Sequence, residues 1–219
     1  MTADPLLNTI RTSLFTAVIG DVMDAAGLTS QFLPPHLRAV SEGPILVGWA
    51  MTVQESDIAA NDAGEPFGAM FKALDDLKHD EIYVCTGSRN AYALWGELMS
   101  TRAASLGAVG AVVDGFHRDT AGIRRLGFPV FSAGAYAQDQ RPRGRVTDFR
   151  CPITFGNGTR VNSGDVIVAD LDGVLAIPAE HLADIVAAAL TKAGAETDIQ
   201  KSILAGETTS SVFARTGIM

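Results

Sequence analysis

Apolar positions recur at helical spacing from the start of the chain. Leu6, Leu7, Ile10, Leu14, Val18, Ile19 and Val22 mark residues 5–28 as helical. Thr12 or Thr16 is placed to cap a second helix within this span, and Gly27 to end it. Residues 29–43, with the Pro34-Pro35 pair, read as loop. The pattern then changes: ILVGWAMTV, residues 45–53, is a near-continuous apolar run with β-branched content, the signature of a buried strand. Gly48 inside it predicts a bulge or a close backbone approach. The polar stretch 55–65 predicts a loop, 67–76 a helix, and EIYVCTG, 81–87, a short strand. Helix and strand then alternate: helix 96–107 stopped by Gly107, strand 110–115, helix 119–127, strand 128–134. Strands separated by short helices indicate parallel βαβ units.

Beyond residue 146 the period changes again. RVTDFRCPITFGNGTRV, DVIVADLDG and VLAIP read as strands joined by Gly and Asn turns, predicting an antiparallel meander or small barrel. Asn157-Gly158 suits a hairpin turn, because both residues tolerate positive φ. The Ala-rich residues 179–205 predict the longest helix, opened after Pro178 and ended by Gly206, and 210–215 one more short helix. The expectation is a single α/β domain over 1–219 with a C-terminal helical arm at about 179–216.

Composition narrows the function classes. The chain has 219 residues, 47% hydrophobic and 19% charged, which is globular rather than disordered composition. Two cysteines, Cys85 and Cys151, exclude a disulfide scaffold and a cysteine-rich zinc module. A net charge of -8 argues against a nucleic-acid surface. No apolar run approaches the ~18 residues of a membrane span, and the first residues, with Asp4 and a single basic residue, lack a signal-peptide pattern. The expectation is a cytoplasmic protein with neither nucleic-acid nor membrane partners. His36, His79 and His181 lack metal-ligand spacing. Lys72, Lys78, Lys192 and Lys201 read as solvated, Trp49 and Trp95 as core or interface, and Cys85 as a buried strand residue.

The chemistry concentrates in two stretches. Gly96-Glu97-Leu98-Met99 opens a helix, whose free N–H groups and dipole suit an anion. Arg118-Asp119 follows a strand at its carboxyl end, where ligands gather in open α/β sheets. Arg grips a carboxylate as a fork, and Asp ligates Mg²⁺, which asks for few protein ligands. An Arg-Asp pair at a strand end serves equally as a loop ion pair or a helix cap. Gly107-Ala-Val-Gly110 precedes a strand and is no dinucleotide fingerprint.

These stretches carry a resemblance to a known family. Gly48-Trp-Ala-Met-Thr-Val53, Gly96-Glu97-Leu98-Met99, Asp114-Gly115-x-x-Arg118-Asp119, Pro129-Val130-Phe131, Ser163-Gly164-Asp165-Val166 and Ala169-Asp170-x-Asp172-Gly173-Val174 match across nearly the whole chain. Together they resemble the RraA-like family. That family holds 4-hydroxy-4-methyl-2-oxoglutarate / 4-carboxy-4-hydroxy-2-oxoadipate aldolases and regulators of ribonuclease E. The resemblance implies a layered α/β/β/α domain like the swivelling phosphohistidine domain, and a homotrimer or hexamer with sites between subunits. The aldolase signature is an acidic residue, twenty intervening residues, then Arg-Asp. Glu97 to Arg118 has that spacing, with Glu where the aldolases usually have Asp.

The resemblance further implies class II aldol cleavage of a 4-hydroxy-2-oxo acid to pyruvate, with oxaloacetate decarboxylation as a side activity. In that scheme Asp119 holds Mg²⁺ or Mn²⁺. Arg118 contacts the keto and carboxylate oxygens, and the amides around Leu98 and Met99 receive the carboxylate. Glu196, or failing it Asp21, acts from a neighbouring subunit to orient the catalytic water. Asp21 and Asp24 lie three apart and share a helix face. His117 is expected to line the site rather than ligate. The alternatives are a non-catalytic regulator of the ribonuclease E type and a metal-dependent lyase or hydrolase on a sugar-acid derivative.

Overall fold

The apolar run that begins at residue 46 becomes the strand around which the chain is organised. A computed structural model describes residues 4–59 and 64–218. Its elements begin with α1 (Pro5–Ser13), α2 (Thr16–Ala25), β1 (Arg38–Ala39), β2 (Leu46–Asp57), β3 (Phe67–Gly68) and α3 (Met70–Asp75). The middle holds β4 (Glu81–Thr86), β5 (Ala93–Trp95), α4 (Glu97–Ser105), β6 (Gly110–His117), α5 (Thr120–Leu126) and β7 (Val130–Ala135). There follow β8 (Gly144–Phe149), β9 (Ile153–Thr154), β10 (Arg160–Val161), β11 (Val166–Ala169), β12 (Val174–Ile177), α6 (Leu182–Leu204) and α7 (Thr209–Thr216).

The main sheet runs β1-β7-β6-β4-β2-β11-β12. β2, β4, β6 and β7 are parallel, as the alternating pattern predicts. β2 extends past the expected end at residue 53 because it serves two partners along one edge. β11 pairs with Leu46–Trp49, and β8 pairs with Val53–Asp57. The register shift lies at Gln54/Glu55. Gly48 marks the close approach instead: a Cβ there would stand 2.5 Å from the Asp80 carbonyl oxygen and 2.8 Å from Val109 Cγ2. Backbone cannot yield as a side-chain tip can. Gly48→Ala is therefore expected to lower unfolding stability by roughly 1–3 kcal/mol, read as a shifted urea midpoint at unchanged m.

The expected separate meander does not form. β8 returns to β2, and the β11–β12 hairpin extends the main sheet beyond β2. Among the described residues only β9 and β10 pair apart, across the predicted Asn157-Gly158 turn. The predicted helix 67–76 starts later, at Met70, since Phe67 and Gly68 pair with β8.

Alternating side chains of the sheet feed three apolar clusters, which give the expected four layers. Met51, Val53, Tyr83, Cys85, Ala111 and Val113 pack with residues of α3, α4 and α5. Leu46, Ala50, Ile82, Val84 and Val112 face Ile167, Ala169, Val174 and Ala176 across the sheet interior. Val47, Val166, Val168, Leu175 and Ile177 pack with residues of α1, α2 and α6. The first half of α6 is thus a core layer, with Leu182, Ile185, Val186 and Ala189 buried. Only its distal part is an arm, ending at Leu204, which is 82% exposed. Neither Thr12 nor Thr16 caps α2. Asp170, from the loop after β11, accepts hydrogen bonds from the Thr16 N–H (2.8 Å) and hydroxyl (2.6 Å).

Candidate active site

β5 and β6 run parallel and deliver their carboxyl ends side by side. One leads through Gly96 into α4, and the other through Arg118 and Asp119 into α5. The Arg118 N–H donates to the Trp95 carbonyl at 2.9 Å, tying the two turns together. Asp119 adopts φ +60°, ψ +36°, a left-handed conformation that short polar side chains tolerate better than most. That turn brings its Oδ2 within 3.3 Å of the Glu97 N–H, which donates to it. A Cβ on Gly96 would lie 2.8 Å from the same oxygen, so Gly96 is what admits the carboxylate.

Arg118 is held between two acids. Its Nη1 lies 3.1 Å from Asp139 Oδ1, and its Nε 3.8 Å from Asp119 Oδ2. These groups border a cavity of about 200 Å³ that Gly96, Leu98, Met99, Trp95, Leu94, Phe67, Met70, Phe71 and Gln140 also line. The start of α4 is fixed from below. The Trp95 indole N–H donates to Ser100 Oγ (2.7 Å), which donates to the Gly96 carbonyl (3.0 Å). Trp95 is accordingly both core and wall. As first-turn positions, the Leu98 and Met99 amides have no intrahelical acceptor, and the helix dipole adds partial positive charge there.

Behind the cavity lies a polar network. Gln140 Nε2 donates to Glu55 Oε1 at 2.8 Å, and the Tyr92 hydroxyl reaches Glu55 (3.2 Å) and Asp57 (3.0 Å). Burial, against the opposing pull of the Gln140 and Tyr92 hydrogen bonds, pushes the Glu55 carboxyl up to about 7.

The predicted residues divide. Gly96, Leu98, Met99, Arg118 and Asp119 converge. The Glu97 amide faces the site, but its carboxylate accepts from Arg125 Nη2 at 2.7 Å and does not line the cavity. Within this one chain, Glu196 and Asp21 belong to the opposite helical layer. Both engage Lys192, whose Nζ stands 3.2 Å from Glu196 and 3.3 Å from Asp21, so Lys192 is an ion-paired residue rather than a freely solvated one. His117 does not line the cavity: it is buried, with its ring nitrogens bonded to Ser132 (2.7 Å) and Thr120 (2.9 Å). Its burial lowers its pKa.

Among the described residues no group of three or more His, Cys, Asp or Glu forms a cage. Asp119 nevertheless presents a half-exposed carboxylate at the cavity. Mg²⁺ retains several waters and takes one or two carboxylates, so a single Asp beside a substrate-sized cavity fits it.

The Aldolase/RraA family profile matches residues 16–176. The chain belongs to the RraA-like family. It is 30% identical over 194 residues to Protein DlpA of Legionella pneumophila, covering 88% of this chain but only 31% of that one. The chain therefore spans under a third of DlpA. A provisionally named 4-hydroxy-4-methyl-2-oxoglutarate aldolase of Halalkalibacterium halodurans is 33% identical over 74% of this chain and 72% of its own. The crystal structure of Streptomyces coelicolor RraAS2, described as an unusual member of the RNase ES inhibitor RraA family, aligns with TM-score 0.79 and 21% identity. That alignment covers 91% of this chain and 98% of the other, and it shows the shared fold.

On this RraA-like scaffold, the cavity residues that sequence reasoning missed are Phe67, Met70, Phe71, Ala93, Leu94, Asp139 and Gln140. Asp139 and Gln140 come from the connection between β7 and β8. Phe67 arrives through the non-local β3–β8 pairing, which no local pattern signals. The stretch 55–65, expected as a loop, is strand through Asp57, and its residues 60–63 lie outside the described residues. Among the described residues no helix is long and apolar enough to cross a membrane.

Proposed function

We propose that this chain is a divalent-metal-dependent carbon–carbon lyase that cleaves a 4-hydroxy-2-oxo acid to pyruvate and a carbonyl product, and that also decarboxylates oxaloacetate. The observation that carries this reading is the convergence of Arg118, Asp119 and the first-turn amides of α4 on one cavity. The aldolase name of the Halalkalibacterium halodurans relative supports the same reaction class.

In this reading the Leu98 and Met99 amides receive the substrate carboxylate, using the helix terminus as an anion site. Arg118, its planar fork pre-positioned by Asp139, lies against the C2 oxygen and stabilises negative charge as it develops there. Asp119 would hold Mg²⁺ or Mn²⁺, which supplies Lewis acidity toward the 2-oxo acid when bound. Gly96 and the Trp95–Ser100 bond keep the amides in register with Arg118. The same reading places the protein in the cytoplasm as a homotrimer or hexamer. There Glu196, with Asp21 as the second choice, reaches a neighbour's cavity and takes the proton of the C4 hydroxyl through water.

The test is pyruvate release from 4-hydroxy-4-methyl-2-oxoglutarate and from oxaloacetate, with Mg²⁺ and again after chelation. Release that depends on metal is the expected outcome. Its absence with folded, metal-supplied protein would return the chain to a non-catalytic regulator or to a sugar-acid enzyme.

A further inference from the structure

One polar side chain of the cavity wall is buried, paired at one end and open at the other. Gln140 is 3% exposed and lines the cavity. Its Nε2 donates to Glu55 Oε1, while its own Oε1 has no partner among the described residues. Among those residues no fully enclosed side-chain nitrogen or oxygen lacks a hydrogen bond, so the Gln140 oxygen reaches open space, and the cavity is the space Gln140 lines. The amide is oriented from behind. Glu55 Oε1 accepts an N–H whether the carboxyl is charged or carries its proton on the other oxygen. The nitrogen is therefore drawn inward and the carbonyl turned outward. Gly144 admits this network: a Cβ there would stand 1.8 Å from the Tyr92 hydroxyl and 2.6 Å from Glu55 Oε1. The backbone is set as well, since the Ala93 N–H donates to the Gln138 carbonyl at 2.8 Å and Asp139 holds Arg118. Gln140, Glu55 and Tyr92 are all buried within one chain, so a neighbouring subunit that closes the mouth leaves their contacts in place.

An outward carbonyl needs a donor. At neutral pH the carboxylates and keto oxygen of a 2-oxo acid only accept, and the C4 hydroxyl is the one O–H donor of a 4-hydroxy-2-oxo acid. Resting on the lyase reading, we propose that Gln140 determines specificity for the 4-hydroxy end of the substrate. Its Oε1 accepts from the C4 hydroxyl, or from the water that takes that proton, and Glu55 is the positioning residue that keeps it turned there. The two reactions of the lyase reading use this contact unequally. In aldol cleavage the C3–C4 bond breaks and its electron pair stays on the pyruvate portion as the enolate. The hydroxyl proton leaves to water, and the O–H electron pair completes the new carbonyl. Oxaloacetate has no C4 hydroxyl: its C3–C4 bond breaks the same way, and C4 leaves as CO₂. Either enolate takes a proton at C3 to give pyruvate.

The experiment measures both reactions on one sample of each protein with Mg²⁺, by chromatographic detection of pyruvate, so the folded fraction cancels in their ratio. The aldol substrates are 4-hydroxy-4-methyl-2-oxoglutarate and 4-hydroxy-2-oxopentanoate, and the faster one supplies the ratio of its kcat/KM to that of oxaloacetate. Gln140→Met, which keeps length but removes the acceptor, and Gln140→Asn, which withdraws it by one methylene, are each expected to lower that ratio about tenfold or more. A rise in KM marks a direct bond to the hydroxyl, and a fall in kcat marks a bond to the water. Glu55→Met is expected to lower the ratio about threefold, and Glu55→Gln, which still offers Gln140 a carbonyl oxygen, to restore most of it. Gln140 variants that lower both reactions alike, or neither, overturn the inference and leave the lyase reading standing. A ratio lowered by the Gln140 variants but unchanged in Glu55→Met overturns the positioning role of Glu55. Wild type that decarboxylates oxaloacetate but cleaves neither aldol substrate overturns the inference together with the aldol half of the lyase reading, and no pyruvate at all overturns both readings.

Discussion

Asp119→Asn is expected to remove pyruvate release almost completely while leaving the protein folded, with melting temperature little changed. Asn tolerates the left-handed backbone at φ +60° and can still accept from the Glu97 N–H, so the turn is preserved. What is lost is the negative charge that suits a divalent ion. Arg118→Ala is expected to lower kcat/KM by about 10²–10³-fold, the usual consequence of deleting a donor that stabilises a developing oxyanion. Arg118→Lys keeps the charge but loses the two-pronged geometry, and it is expected to recover only a minor part. Because the two residues share one site, the double variant should fall little below the worse single one. Steady-state kinetics on all four proteins decide the matter. A variant that retains more than about a tenth of wild-type kcat/KM would remove the pair from the reaction.

Stability is expected to fall as pH rises from about 4.5 to about 7 on account of Glu55. Its carboxyl is 1% exposed, and burial pushes it from 4.5 up to about 7 in the folded chain. Between those values the folded protein holds a proton that the unfolded chain releases. Raising the pH therefore favours unfolding through that window. Below it both states are protonated and nothing is lost. Above it the loss levels off at roughly 3 kcal/mol, from the relation of about 1.4 kcal/mol per pKa unit. Glu207, whose carboxyl Arg215 holds down, slopes the other way, so the informative quantity is a difference. Glu55→Gln cannot ionise. Its stability minus that of wild type, from urea unfolding at pH 5 and pH 8, should rise with pH. A difference that does not change between the two would show that Glu55 stays ionised throughout. Tyr92, Asp57, Tyr83 and Cys85 also face Glu55, and Gln140 carries the network from it to the cavity wall.

The residues that pattern reading placed correctly share a physical cause. The turns after β5 and β6 each join a strand to a helix. Parallel strands of such units must bring those turns together at one end of the sheet, so Gly96–Met99 and Arg118–Asp119 were legible as one site. Gly48 was legible because a residue without Cβ inside an apolar strand needs a reason, and the Asp80 carbonyl is that reason. The direction of the Glu97 side chain was not legible. It depends on Arg125, a neighbour across two helices rather than along one. Lys192 likewise looked solvated until α2 and α6 packed and set Asp21 and Glu196 around it. The expected meander dissolved for a related reason. Which edge a short strand joins is settled by the space left beside β2, and no local period records that space.

The shared edge of β2 also governs how the chain can be made. Its partner β11 lies more than a hundred residues downstream, and β8 nearly as far. At typical ribosomal rates the apolar edge at residues 46–53 waits on the order of ten seconds for its cover. Until then it is an open template for strands of other chains. A nascent chain of this protein is thus most exposed to aggregation late in synthesis, after its parallel core has been made and before residues 144–169 arrive to close it.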